Sequence, residues 1–110
     1  MKKYYAHIWL DDCRMPEAPG MDKNLVYWVR GYDGFVTMVE GLKENIGKCK
    51  IYFDHDLGEE KDGYDCAKFL VNWCMENGYD VPDYSIQSAN PVGRKNIESV
   101  FTTYEKVKNM

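Results

Sequence analysis

Three things this sequence lacks narrow its range before any motif is read. No stretch approaches the roughly 18 consecutive apolar residues of a membrane span, and the apolar run after Met1, Lys2 and Lys3 is cut by Asp11 and Asp12 before a signal-peptide core could form. The four cysteines, Cys13, Cys49, Cys66 and Cys74, include no CxxC pair, and with only two histidines they do not make an ordinary structural zinc site. Basic residues are outnumbered: 14 Lys and Arg against 18 Asp and Glu leave a net charge of −4, with a pI near 5.1. That balance argues against a broad electrostatic grip on an extended duplex, but not against one bound nucleotide or an RNA end. These absences lead to the expectation of a soluble, cytoplasmic protein with free thiols and no membrane contact.

What is present suits one domain spanning residues 1–110, long enough to bury roughly two thirds of the surface its unfolded chain exposes. Three Trp and nine Tyr are a high aromatic load, read first as dense packing and otherwise as a stacking surface. Residues 4–10 read as a buried strand stopping at Asp11 and Asp12, followed by a loop marked by Pro16, Pro19 and Gly20. Residues 25–29 form a second strand candidate. Asp33 can then cap a helix with Phe35, Met38, Val39 and Leu42 on one face and Gly47 as its stop. Residues 50–53 read as a third strand. The segment 64–76 repeats the helical spacing with Ala67, Leu70, Val71 and Cys74, widened by Phe69 and Trp73, and Gly78 ends it. Residues 84–87 are the fourth strand candidate, before a last helix carrying Ile97, Val100, Phe101 and Tyr104. Strands alternating with helices predict an α/β domain with a mainly parallel sheet of about four strands and helices on both faces.

Polar clusters follow three of these strands: Asp11 and Asp12; Asp54, His55 and Asp56; Ser88, Ala89 and Asn90. In a parallel sheet they meet at the carboxyl edge, where ligands of such sheets bind. Carboxylates crowded there repel one another unless protons or a cation compensate. Oxygen donors with no sulfur nearby suit Mg, Mn or Ca rather than Zn. The plainer alternative is that these aspartates cap or turn the chain.

Asn90 can cap the last helix with Pro91 as its first residue, leaving the N–H groups of Val92, Gly93 and Arg94 to face a phosphate, with Arg94 adding a charged fork. The alternative is a well-capped helix with a solvated arginine. A cation beside an anion pocket is an arrangement that handles phosphoryl groups. His55 could transfer a proton there, although strand alternation turns it away from Asp54 and Asp56. His7 sits mid-strand and reads as packing. Cys13 reads as structural or incidental.

The stretch Leu10-Asp11-Asp12, with Asp54 and Ser88, resembles response-regulator receiver domains, in which Asp54 would be the phospho-accepting aspartate. No fifth strand with the receiver's lysine is apparent, and the segment after Asp54 lacks the usual methionine and proline. The chain more closely resembles cyclic-phosphate processing receiver domains. That likeness rests on Trp9-Leu10-Asp11-Asp12-Cys13-Arg14-Met15-Pro16, Phe53-Asp54-His55-Asp56-Leu57-Gly58 and Ser88-Ala89-Asn90-Pro91-Val92-Gly93-Arg94-Lys95-Asn96. It implies a receiver-like, flavodoxin-like fold and a role in processing cyclic phosphates at RNA ends or in nucleotide signals. Gln87 stands where the resemblance leads one to expect a histidine; if that histidine serves as acid or base, its replacement implies either impaired catalysis or a protein that binds rather than processes.

The resulting expectation is a hydrolase of a cyclic or terminal phosphate that uses Mg or Mn. Asp11, Asp12, Asp54 and Asp56 supply the metal ligands, though not all four need be used, and His55 with Asp54 forms the catalytic pair. Arg14, Ser88, Asn90, Gly93 and Arg94 hold the phosphate. Two alternatives stand beside it: a cyclic-nucleotide binder without catalysis, and a stand-alone receiver phosphorylated on Asp54.

Overall fold

Residues 7–10 are apolar or aromatic on both faces and buried throughout, which suits the interior of a parallel sheet. In the computed structural model, which describes residues 3–18 and 20–109, they form β1 (His7–Leu10). Met1, Lys2 and the loop marker Pro19 lie outside the described residues. The remaining elements are β2 (Val26–Val29), α1 (Tyr32–Leu42), β3 (Lys50–Phe53), α2 (Gly63–Asn77), β4 (Asp83–Ile86) and α3 (Pro91–Lys108). All strand pairs are parallel, in the order β2-β1-β3-β4. The four-stranded parallel sheet of a receiver-like α/β fold is therefore present.

Strand parity sorts the side chains into two layers. Ile8, Leu10, Val29, Ile51 and Phe53 share one core with Phe35 and Val39 of α1, with Cys66, Ala67, Leu70, Val71 and Cys74 of α2, and with Ile97 and Phe101 of α3. Those helix positions are the ones the 3.6-residue spacing selects. Since α2 touches both α1 and α3, the three helices stand in a row on this one face.

Helices on both faces were expected, and the structure corrects this. A helix on the other face would have to join β1 to β2, but the described residues between Leu10 and Val26 run as an irregular loop with a 3-10 turn at Lys23–Leu25. Pro16 and the Asx turn at Asp11 are both poor helix material. Aromatics fill that layer instead. Trp9 is 1% exposed, Tyr52 3% and His7 4%, with ring centroids 5.4 Å apart for Trp9–Tyr52 and 5.8 Å for His7–Tyr52. The loop is tied to them by indole N–H donors, from Trp9 to the Arg14 carbonyl at 2.8 Å and from Trp28 to the Asp11 carbonyl at 2.7 Å.

Several boundaries also differ. Leu25 belongs to the 3-10 turn rather than to β2, and α1 ends at Leu42, before Gly47, because the chain turns into a second 3-10 stretch at Lys43–Lys48. Asp33 lies in the first turn of α1, whose N-cap is Gly31. With no capping side chain at Gly31, the Tyr32 N–H donates to Glu59 Oε1 at 2.8 Å, so α1 is held by the loop after β3.

Candidate functional site

Parallel strands in register end together, and the side chains just past β1 and β3 therefore meet. Asp11 donates its N–H to the Val29 carbonyl and Asp54 donates to the Leu10 carbonyl, each at 3.0 Å, so both residues continue the ladder by one step. Ligand oxygens of Asp11, Asp12 and Asp54 all lie within 4.8 Å of one another. Oxygens on one hard cation sit about 2.0–2.6 Å from it, hence up to about 5 Å apart, so the spacing fits such an ion.

Asp11 is 3% exposed, and its Oδ1 accepts the N–H groups of Cys13 at 3.0 Å and Arg14 at 2.8 Å. It therefore turns the loop with one oxygen. Asp54 is part-buried, and its carboxyl is pushed up to about 6, first by burial and then by the Asp11 charge, with Asp12 adding to it. The His55 backbone N–H and the Arg14 guanidinium pull it partly back. Burial and the crowding of the three carboxylates thus both disfavour the charged form of Asp54. Asp56 stands outside the cluster; it is exposed, and its Oδ1 accepts the Gly58 N–H at 3.0 Å. A loop turn, not a shared site, is what the structure gives that residue.

His55 is held by three contacts, two from the start of α2 and one from α3. Its carbonyl accepts the Gly63 N–H at 2.8 Å, and a Cβ on Gly63 would come within 2.0 Å of the Asp54 carbonyl, so only glycine lets α2 start this close. The imidazole Nε2 lies 3.2 Å from Asp62 Oδ2, while Nδ1 is buried without a hydrogen-bond partner. Gly93 of α3 rests against the ring, since a Cβ there would lie 2.3 Å from the His55 Cγ. Asp62 was not among the residues singled out from sequence. Its Asp62-x-x-Asp65 spacing does mark a reciprocal helix cap, which the structure contains, but nothing local announces the bond to His55.

The proposed anion pocket is different from the expectation. The N–H groups of Val92 and Gly93 both donate to Asn90 Oδ1, at 3.0 and 3.1 Å, and the Arg94 N–H donates to the Asn90 carbonyl at 2.9 Å. They are not free for a phosphate, because the asparagine cap that starts α3 uses them itself. Ser88 is buried, and its Oγ accepts the Asn90 N–H at 3.1 Å. Gly93 serves the close approach to His55.

The two arginines divide. Gln87 donates its N–H to the Phe53 carbonyl, so its own carbonyl also faces inward along the sheet, and Arg14 Nη1 donates to it at 3.2 Å. Arg94 Nη1 donates instead to the carbonyls of Ile86 at 2.9 Å and Ser88 at 3.2 Å, which face the outer edge of β4. Arg94 thus covers an edge strand, and Arg14 is the guanidinium on the side of Asp54. Gln87 points its amide at Ser85 Oγ, 3.1 Å away.

Compared with known families, residues 6–103 match the model described as cyclic-phosphate processing receiver domain. No curated protein and no solved structure matches the chain.

Proposed function

Because the chain belongs to the cyclic-phosphate processing receiver domain family, we propose that it hydrolyses a cyclic or terminal phosphate of a nucleotide or RNA end at the carboxyl edge of its sheet. The observation that carries this reading is the convergence of Asp11, Asp12 and Asp54 within 4.8 Å, with His55 following Asp54 in the chain and its imidazole on Asp62. Asp11, Asp12 and Asp54 would hold Mg or Mn, and Asp56 is left out of that set. A hard divalent cation bound there supplies charge neutralisation at the phosphoryl oxygens. Arg14 faces the same space and adds a donor fork for the phosphate. His55 carries the proton, oriented by Asp62. Ser88 and Asn90 shape the rim by fixing the start of α3 rather than by offering free donors.

One observation favours a second reading, a binder that sequesters a cyclic nucleotide. Both His55 nitrogens are already committed: Nε2 is on Asp62 and Nδ1 is buried. Gln87 adds to it, standing where a second acid or base was expected. Phospho-acceptance on Asp54 is the least supported alternative, since no lysine follows on a fifth strand among the described residues.

The test is incubation with RNA ending in a 2′,3′-cyclic phosphate and with cyclic di- and trinucleotides, with and without Mg or Mn, read by mass spectrometry. Hydrolysis predicts a metal-dependent gain of one water that disappears in Asp54→Asn and His55→Ala. Ligand recovered unchanged but retained on the protein moves the assignment to the binder.

A further inference from the structure

The two oxygens of Asp62 have separate duties. Oδ1 accepts the Asp65 N–H at 3.1 Å and so starts α2, while Oδ2 lies 3.2 Å from His55 Nε2. A carboxylate has no proton to give, so the hydrogen in the second bond has to sit on Nε2. The other nitrogen, Nδ1, is buried and has no partner, and Gly93 in the first turn of α3 packs over the face of the ring, where a Cβ would lie 2.3 Å from Cγ and 2.7 Å from both Nδ1 and Cδ2.

We infer that Asp62 is a positioning residue that fixes the tautomer of His55, leaving the buried Nδ1 as its lone-pair nitrogen. Two features of the geometry reinforce this. The capping bond prevents the Asp62 side chain from rotating, so Oδ2 stays aimed at Nε2. The reciprocal bond from the Asp62 N–H to Asp65 Oδ2 at 2.9 Å fixes its backbone as well. A buried lone pair without a donor is unfavourable, and the contact with Asp62 is what keeps the hydrogen on the other nitrogen.

The functional consequence rests on the hydrolytic reading above: with the Nε2 hydrogen held on Asp62, Nδ1 is the only ring nitrogen with a lone pair, so any proton that His55 takes up in the reaction goes there.

The test does not depend on turnover. With two histidines in the chain, nitrogen-15 imidazole spectra at about pH 9, where a free imidazole is neutral, contain two ring systems, and His55→Gln identifies one by its disappearance. The assignment expects His55 to show a protonated Nε2 and an unprotonated Nδ1. In Asp62→Asn the cap is kept, because the side-chain oxygen must still accept from Asp65, and the amide NH2 is then what faces Nε2. The proton should shift to Nδ1. A protonated Nδ1 in the wild type, or an unchanged tautomer in Asp62→Asn with the fold intact by circular dichroism, overturns the inference. Where hydrolysis is also found, Asp62→Asn should lower kcat on the order of 10²-fold with KM little changed. The expected tautomers without any turnover support the assignment and count against the hydrolytic reading alone.

Discussion

Asp54 is ionised at a cost set first by burial and then by the charges of Asp11 and Asp12. Its carboxyl is raised from 3.8 to about 6, so between those values the folded chain binds a proton that the unfolded chain does not. Stability from the protonated form is present at low pH and is lost as pH rises through about 6. Asp54→Asn should therefore stabilise the cation-free protein at pH 7, by on the order of 1 kcal/mol after discounting for the partial exposure of the group. Urea unfolding with a chelator present checks this; an equal or lower midpoint in the variant would show that the crowding is not felt. Gly93→Ala probes the other side of the site. The new methyl would meet the His55 ring at 2.3 Å, and a ring tied to Asp62 has little room to yield. A loss of about 1–3 kcal/mol is expected, and wild-type stability in that variant would mean that α3 does not rest on the ring.

At the scale of elements, α3 is set by one side chain. Asn90→Ala removes the acceptor for the Val92 and Gly93 N–H groups, and the expected loss is about 1 kcal/mol, measured as the unfolding midpoint. This cap was legible from Asn90-Pro91, as were the order of strands and helices and the meeting of Asp11, Asp12 and Asp54, because each follows from periodicity or from position at a strand end. What the cap does to the site was not legible. The same residues that spell a helix N-terminus also fill its donors. Residues separated in sequence hid the rest. Arg94 folds back onto Ile86 and Ser88, and Asp62 reaches His55 across a loop, through contacts that no local spacing encodes. The layer opposite the helices was misjudged for a similar reason. The aromatic load hinted at packing, but not that Trp9, Tyr52 and His7 would take the place of a helix between β1 and β2.

For the whole molecule, the two layers respond to pH in opposite senses. His7 is buried beside Tyr52, and its pKa is lowered, first by burial and then by the Lys50 charge, against the pull of Asp22. The unfolded chain takes up this proton more readily, so stability is present above the ordinary histidine range and is lost as pH falls through it. His7→Gln should flatten that acid limb in a pH series of unfolding midpoints, and an unchanged limb would assign it elsewhere. The carboxyl edge works the other way, gathering negative charge that a cation relieves. In the proposed function Asp11, Asp12 and Asp54, and not Asp56, would hold that ion. Calorimetric titration of Mg and Mn into the wild type, Asp54→Asn and Asp56→Asn checks this. Binding should be lost in Asp54→Asn and kept in Asp56→Asn. Binding that survives in Asp54→Asn, or that fails equally in both variants, would contradict it.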